Sequence, residues 1–182
     1  MEKLKMQDLS CPLKRVRYFT GQLLTAEDFE AEQEYMREKH RRHNQYFRGY
    51  GVVSGLRVSI GETNVRVDPG LAVDCLGEEI VVCEPTEVAL PEKDGVKYLT
   101  ICYIERETDP VPVPGSEETI QNSRIEEVFE LTFECDHPCS GHKRDKLRWV
   151  PCGEAHGIPL AKLTYRRGHW RIDRKFRRPC SR

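Results

Sequence analysis

The chain has 182 residues, of which 32% are charged and 38% hydrophobic, with 29 Lys and Arg against 30 Asp and Glu. That length builds one domain or two small ones around a real core, and the hydrophobic share excludes a chain that is disordered throughout. No apolar run approaches the ~20 residues that a membrane-crossing helix needs.

The first residues, Met1-Glu2-Lys3-Leu4-Lys5-Met6, contain no apolar signal core. Cytoplasmic synthesis is therefore expected, with export by a non-classical route or release within a particle left open. The near-neutral charge hides an asymmetry: from His142 to Arg182 there are 13 Lys and Arg and only 3 Asp and Glu. A basic segment suits nucleic acid or an acidic protein surface, another copy of the chain included. Without interleaved stacking aromatics, nucleic acid is the weaker of the two.

Residues 1–17 show no clean period and read as an N-terminal arm. Residues 18–49 read as a long helix. Thr25 is placed to cap it, Asp28 sits three positions later as a partial capping box, and Leu24 and Phe29 have the spacing of a hydrophobic staple. Acidic Glu27, Asp28 and Glu30 at the start and basic Arg41, Arg42 and Arg48 at the end suit the helix dipole. Phe29, Met36, His40, His43 and Phe47 form one narrow apolar stripe, fit to pack on a sheet or on the same helix of a neighbouring subunit. Gly49 is a natural residue to end the helix.

From Gly51 the period changes to two, and residues 50–134 read as a β domain. Residues 52–67 are predicted to form one hairpin about Gly61-Glu62-Thr63-Asn64, and Leu71–Val73 with Ile80–Val82 a second about Leu76-Gly77. Val88-Ala89-Leu90 is a short strand. Lys97–Glu105, apolar on both faces, suits a central strand. Thr108–Gly115, with three prolines, reads as a loop without regular structure. Arg124–Glu134 alternates again as a strand. Residues 135–157 form a Cys/His-rich insert, and residues 158–182 a closing hairpin about Arg167-Gly168 with a basic tail. The expected fold class is α+β, mainly β: one long N-terminal helix, then an antiparallel β-sandwich or barrel-like domain.

The sharpest chemical constellation is Cys135-x3-Cys139 followed by Cys152-x3-His156. Two short chelating pairs of soft ligands are what a tetrahedral Zn²⁺ site needs, and four protein ligands would make it structural, not catalytic. His137 and His142 are alternative ligands; reduced structural cysteines or a disulfide are the competing explanations. Cys75, Cys83 and Cys102 are read as small buried hydrophobes within strands. His40 and His43 are read as helix histidines with partly buried stems, not as ligands. Catalytic patterns are missing: there is no Gly-rich phosphate loop, no HExxH and no Gly-x-Ser-x-Gly. The acid pairs Glu78-Glu79, Glu117-Glu118 and Glu126-Glu127 read as solvated strand edges. No enzymatic activity is expected.

Three segments carry a resemblance. They are Arg17-Tyr18-Phe19-Thr20-Gly21-Gln22-Leu23-Leu24-Thr25-Ala26-Glu27-Asp28-Phe29, then Gly51-Val52-Val53-Ser54-Gly55-Leu56, then Val67-Asp68-Pro69-Gly70-Leu71-Ala72-Val73-Asp74 with Gly77-Glu78-Glu79-Ile80. Together they resemble phage-tail-like proteins found with contractile injection systems and at the starts of some baseplate and tail-fibre proteins. In that set a G-V-V-x-G-L strand precedes a V-x-P-G-x-A-x-D-x-x-G-x-x-I hairpin, and the closing segment from Ile158 to Asp173 also looks like the family's last strand pair. The resemblance implies a non-enzymatic baseplate, adaptor or accessory protein whose partners are other subunits of a tail-like particle, with an oligomeric state. No long fibre follows the unit here, which disfavours a fibre role. A zinc-stabilised nucleic-acid-binding or regulatory protein is the alternative.

Overall fold

The computed structural model describes residues 12–92, 94–113, 115, 120–138, 144, 145, 148, 149, 152 and 155–181. Its architecture is α+β and mainly β, as expected. Among the described residues, helix α1, Ala26–His43, is followed by one π-helical turn, Asn44–Arg48, and by twelve strands. Thr25 N–H donates to Asp28 Oδ2 at 3.1 Å, half of the predicted capping box. Gly49 closes the helical segment at φ 78°, its N–H donating to Asn44 O at 2.9 Å.

The strands are β1 (Gly51–Gly55), β2 (Val58–Ile60), β3 (Asn64–Val67), β4 (Gly70–Val73), β5 (Glu79–Val82), β6 (Thr86–Ala89), β7 (Val96–Pro112), β8 (Ile120–Glu134), β9 (Arg144–Asp145), β10 (Arg148–Trp149), β11 (Ile158–Arg166) and β12 (His169–Ile172). They form sheets ordered β1-β4-β5, β2-β3-β6, β12-β11-β7-β8 and the pair β10-β9. All these pairings are antiparallel. Strand β7 is central, as its two apolar faces predicted. Leu99, Ile101, Ile158, Leu163, Val65, Val67, Leu56 and Tyr50, each at most 1% exposed, build the core where the larger sheets meet. The final hairpin turns on Arg167 and Gly168, both at positive φ (52° and 83°), which matches the twist of its strands.

Two predicted elements are corrected. Residues 52–67 are not one hairpin: β2 pairs with β3, but β1 pairs with β4 in a different sheet. The chain changes sheet at Gly55-Leu56 and changes back at Pro69-Gly70. There the two backbones touch, Leu56 N–H donating to Pro69 O at 3.2 Å. A Cβ on Gly55 would lie 2.0 Å from Pro69 O, and one on Gly70 2.4 Å from Ser54 O, so the crossing has room for hydrogen only. Gly55 of the first motif and Gly70 of the second thus share one physical cause.

The second correction concerns Thr108–Gly115. Strand β7 continues through Pro110 and Pro112, paired with Asn122 and Ile120 of β8. Here β7 has outrun β11, which pairs only with Val96–Ile101. Prolines two apart place their missing N–H groups on the same strand edge, and that edge has no strand to serve.

The basic tail returns to the crossing. Arg178 donates from Nη1 to Leu56 O at 2.5 Å and from Nη2 to Gly55 O at 3.0 Å. Ser181 Oγ donates to Arg48 O at 2.7 Å, and Val52 exchanges backbone bonds with Pro179 and Ser181. Arg178→Ala is expected to cost about 1–2 kcal/mol, because charge-assisted bonds to carbonyls are strong but this guanidinium is partly solvated. A chemical denaturation curve measures it. An unmoved midpoint would mean that water replaces the guanidinium without penalty.

Candidate metal centre

Several polar side chains converge on the turn between β4 and β5. Asp74, only 5% exposed, accepts on Oδ1 from Leu76 N–H (2.8 Å) and Glu78 N–H (2.9 Å), which sets the turn. Burial pushes the Asp74 carboxyl up, against the pull of the Glu78, Leu76 and Gly77 N–H groups. Cys75 follows it, fully buried.

The same turn receives the end of the helical segment. Asn44 Nδ2 donates to Gly77 O at 2.9 Å, Gln45 Nε2 to Cys75 O at 3.1 Å, and Arg41 Nε to Glu78 Oε1 at 2.5 Å. Arg37 pairs with Glu105 on β7. Of the acid pair Glu78-Glu79, Glu78 is therefore no solvated group. Glu78 is half-buried and anchors α1, and its loss of water raises its pKa more than Arg41 lowers it. Glu79 is exposed and accepts from Asn44. Glu126 and Glu127 are exposed, as predicted, and Glu117 and Glu118 lie outside the described residues.

Against this turn lie Cys152 and His156, from the segment leading into β11. One ligand atom from each of Cys75, Cys152 and His156 lies within 4.8 Å of the other two. Cys152 Sγ and His156 Nε2 are 3.1 Å apart. His156 Nδ1 is 3.0 Å from Gly157 O. A carbonyl only accepts, so Nδ1 carries the hydrogen and Nε2 turns its lone pair to the cluster, the orientation of a metal-ligating imidazole held from behind. Tyr50 packs edge-on against the same ring, with centroids 5.3 Å apart, and donates to Gly157 O at 3.4 Å.

The donor set fits a metal ion. Metal bonds of 2.0–2.3 Å in a tetrahedron place ligand atoms roughly 3.5–3.8 Å apart, so the cluster needs adjustment of only about 1 Å. Burial pushes the Cys75 thiol well above the ordinary range, so ionising it without a cation is costly. A bound divalent ion reverses that balance by deprotonating its thiol ligand.

Of the four predicted ligands, Cys152 and His156 meet here. Cys135, exposed at the end of β8, instead accepts from Lys97 Nζ at 3.3 Å. Cys139, and His142 among the alternatives, lie outside the described residues. His137 faces the rings of Tyr98 and Phe176, at 5.4 and 6.3 Å between centroids. The residue that sequence reasoning missed is Cys75. It sits in a turn, not a strand. Cys75 is buried as predicted, Cys83 is exposed just past β5 and so is not a buried hydrophobe, and Cys102 is half-buried within β7.

Neither protein-family models nor curated proteins give a match to this sequence. Solved structures do. The chain matches one from the TssK–TssF–TssG baseplate subcomplex of the type VI secretion system, with a TM-score of 0.51 and 12% identity, over 92% of this chain and 62% of that one. It matches the crystal structure of TssK with a TM-score of 0.53 and 12% identity, over 88% of this chain and 41% of that one. The fold is that of type VI secretion baseplate chains. A chain of a further type VI baseplate complex matches with a TM-score of 0.49 and 13% identity, over 92% of this chain and 60% of that one. This chain thus spans less than two-thirds of the length of each. Among the described residues no helix is long and apolar enough to cross a membrane.

Proposed function

We propose that the protein is a non-enzymatic structural subunit of a phage-tail-like contractile particle, acting as a baseplate, adaptor or accessory component among other subunits. The observation that carries this reading is the fold shared with type VI baseplate chains. The motif segments within residues 18–83 support it as well, because Gly55 and Gly70 serve a sheet crossing and Gly77 the turn that receives α1. Affinity purification of the tagged full chain from its native cells tests it. Sheath and tube proteins should co-purify and co-sediment with it as large particles. A chain recovered only as a small species, free of any particle, overturns the proposal.

Within that role the metal centre is a structural zinc site. Zinc suits two thiolates and an imidazole, here Cys75, Cys152 and His156, with Cys139 as the fourth ligand. Holding the segment before β11 against the β4–β5 turn would fix the surface on which α1 rests. Elemental analysis of the purified protein should find one zinc per chain, and Cys139→Ser should weaken its retention. A full complement of zinc in Cys139→Ser would remove that residue from the set.

A further inference from the structure

The apolar stripe of α1 does not face the protein. Phe29 is 54% exposed, Met36 46% and Phe47 74%, His40 and His43 are exposed too, and α1 buries no residue at all. The helix is held instead by its polar side, through Arg37, Arg41, Asn44 and Gln45. Of the arm preceding the helix, Leu13 and Lys14 lie beside Ala31, Glu34, Tyr35 and Glu38, on the face opposite the stripe.

At 100° per residue Phe29, Met36, His40 and His43 fall within an arc of roughly 60°. Phe47 continues the arc across the π-helical turn, its ring centroid 4.6 Å from that of His43. The spacing is nearly palindromic. About Glu38 as centre, Phe29 exchanges with Phe47 and Met36 with His40. The charges are arranged in the same sense. Glu27, Asp28, Glu30, Glu32 and Glu34 load the first half of α1, and Arg37, Lys39, Arg41, Arg42 and Arg48 load the remainder of the helical segment. Of these, Arg37, Arg41 and Arg42 are already paired within the chain, with Glu105, Glu78 and Glu38.

We propose that this face binds the same face of a second copy, antiparallel, about a two-fold axis that passes between Met36 and His40. In that arrangement Phe29 packs on the partner copy's Phe47 end, Met36 sits on His40, and Glu30 approaches Arg48. A parallel pairing would stack like charges and align the two helix dipoles, whereas the antiparallel one opposes them favourably. A two-fold contact is self-complementary by construction, which is what a palindromic stripe provides. The proposal rests on α1 alone, so it stands or falls apart from the baseplate reading.

Sedimentation of the purified full chain, combined with photo-crosslinking, tests this. The chain should sediment as a dimer. Met36→Glu and, separately, Phe47→Glu should weaken dimerisation by about tenfold or more, with helix content and thermal midpoint of the monomer unchanged because both side chains are exposed. With a photoreactive phenylalanine analogue at position 29, mixed heavy- and light-isotope copies should crosslink to the peptide carrying residues 44–48 of the other copy. A strictly monomeric chain overturns the proposal. So does a 29-to-29 crosslink, which would indicate a parallel bundle, and so does a crosslink found only to a different protein.

Discussion

Replacing Cys75 with serine should release the metal and lower the midpoint of thermal unfolding by about 10 °C. An ion held by these ligands would clasp two distant segments together. Cys75 belongs to the β4–β5 turn, and Cys152 and His156 to the approach to β11, far away in sequence but within 4.8 Å at their ligand atoms. Without the ion these segments are joined by weak thiol and imidazole contacts, and a buried serine hydroxyl replaces a coordinated sulfur. A loss of about 3–5 kcal/mol is expected, a fraction of the ~10–16 kcal/mol of zinc-finger peptides because this fold also has a core of its own, and a chain of this size loses roughly 2–4 °C per kcal/mol. A strong chelator should reproduce the shift in the parent protein and add nothing in Cys75→Ser. Acidification should act in the same direction, because protons compete with the metal for thiolate and imidazole. Cys83→Ser is the control, since Cys83 is exposed and outside the cluster. Undiminished zinc in Cys75→Ser, or equal effects of Cys75→Ser and Cys83→Ser, would dispose of the clasp.

Why Cys75 escaped the sequence reading has a physical answer. Spacing reveals candidate ligands that could chelate locally, as Cys152 and His156 could, because a short loop can bring both atoms to one ion. A ligand supplied from another part of the fold leaves no such trace. Cys75 becomes a partner only once β4 has paired with both β1 and β5, and no period in the chain encodes that. The same limit explains the broken hairpin at 52–67. Alternation shows that residues lie on strands, but not that Leu56, buried at a φ of 50°, carries the chain from one sheet to another. Local chemistry was far more legible. Thr25 and Asp28 mark the start of α1, Gly49 its end, and Arg167-Gly168 the final turn, because each needs only neighbouring residues to act.

The helix is the instructive intermediate case. Its existence and stripe were both readable, yet the docked side was not. Counting apolar residues assumes that a helix is held by its apolar face. Here the turn offers α1 the carbonyls of Cys75 and Gly77 and the carboxylate of Glu78, so the polar side docks and the stripe stays outside. A dimer through that stripe would restore the usual rule at the level of the assembly.

The second large effect is expected at Gly77. Its φ is 87°, and a Cβ there would lie 2.3 Å from Arg41 O and 2.8 Å from Arg41 Cα, both backbone atoms of α1. Two costs are therefore superposed in Gly77→Ala, left-handed strain and steric conflict, and a second glycine separates them. Gly168 has a φ of 83° and nothing within 4 Å of its would-be Cβ. Gly168→Ala should cost about 1 kcal/mol, the ordinary penalty for a side chain in that conformation. Gly77→Ala should cost about 3 kcal/mol or more, because a backbone contact cannot be relieved by a rotamer change and the helix must move off the turn. That movement pulls on three bonds at once, from Asn44 to Gly77 O, from Gln45 to Cys75 O and from Arg41 to Glu78. The penalty should consequently be non-additive with that of Arg41→Ala, since once the helix has lifted there is little of the ion pair left to remove. Matched denaturation curves of Gly77→Ala, Gly168→Ala, Arg41→Ala and the Gly77→Ala/Arg41→Ala double variant give both comparisons. Equal costs at the two glycines, or simple additivity with Arg41→Ala, would show that α1 yields without disturbing the turn, and the metal centre could then not set its position.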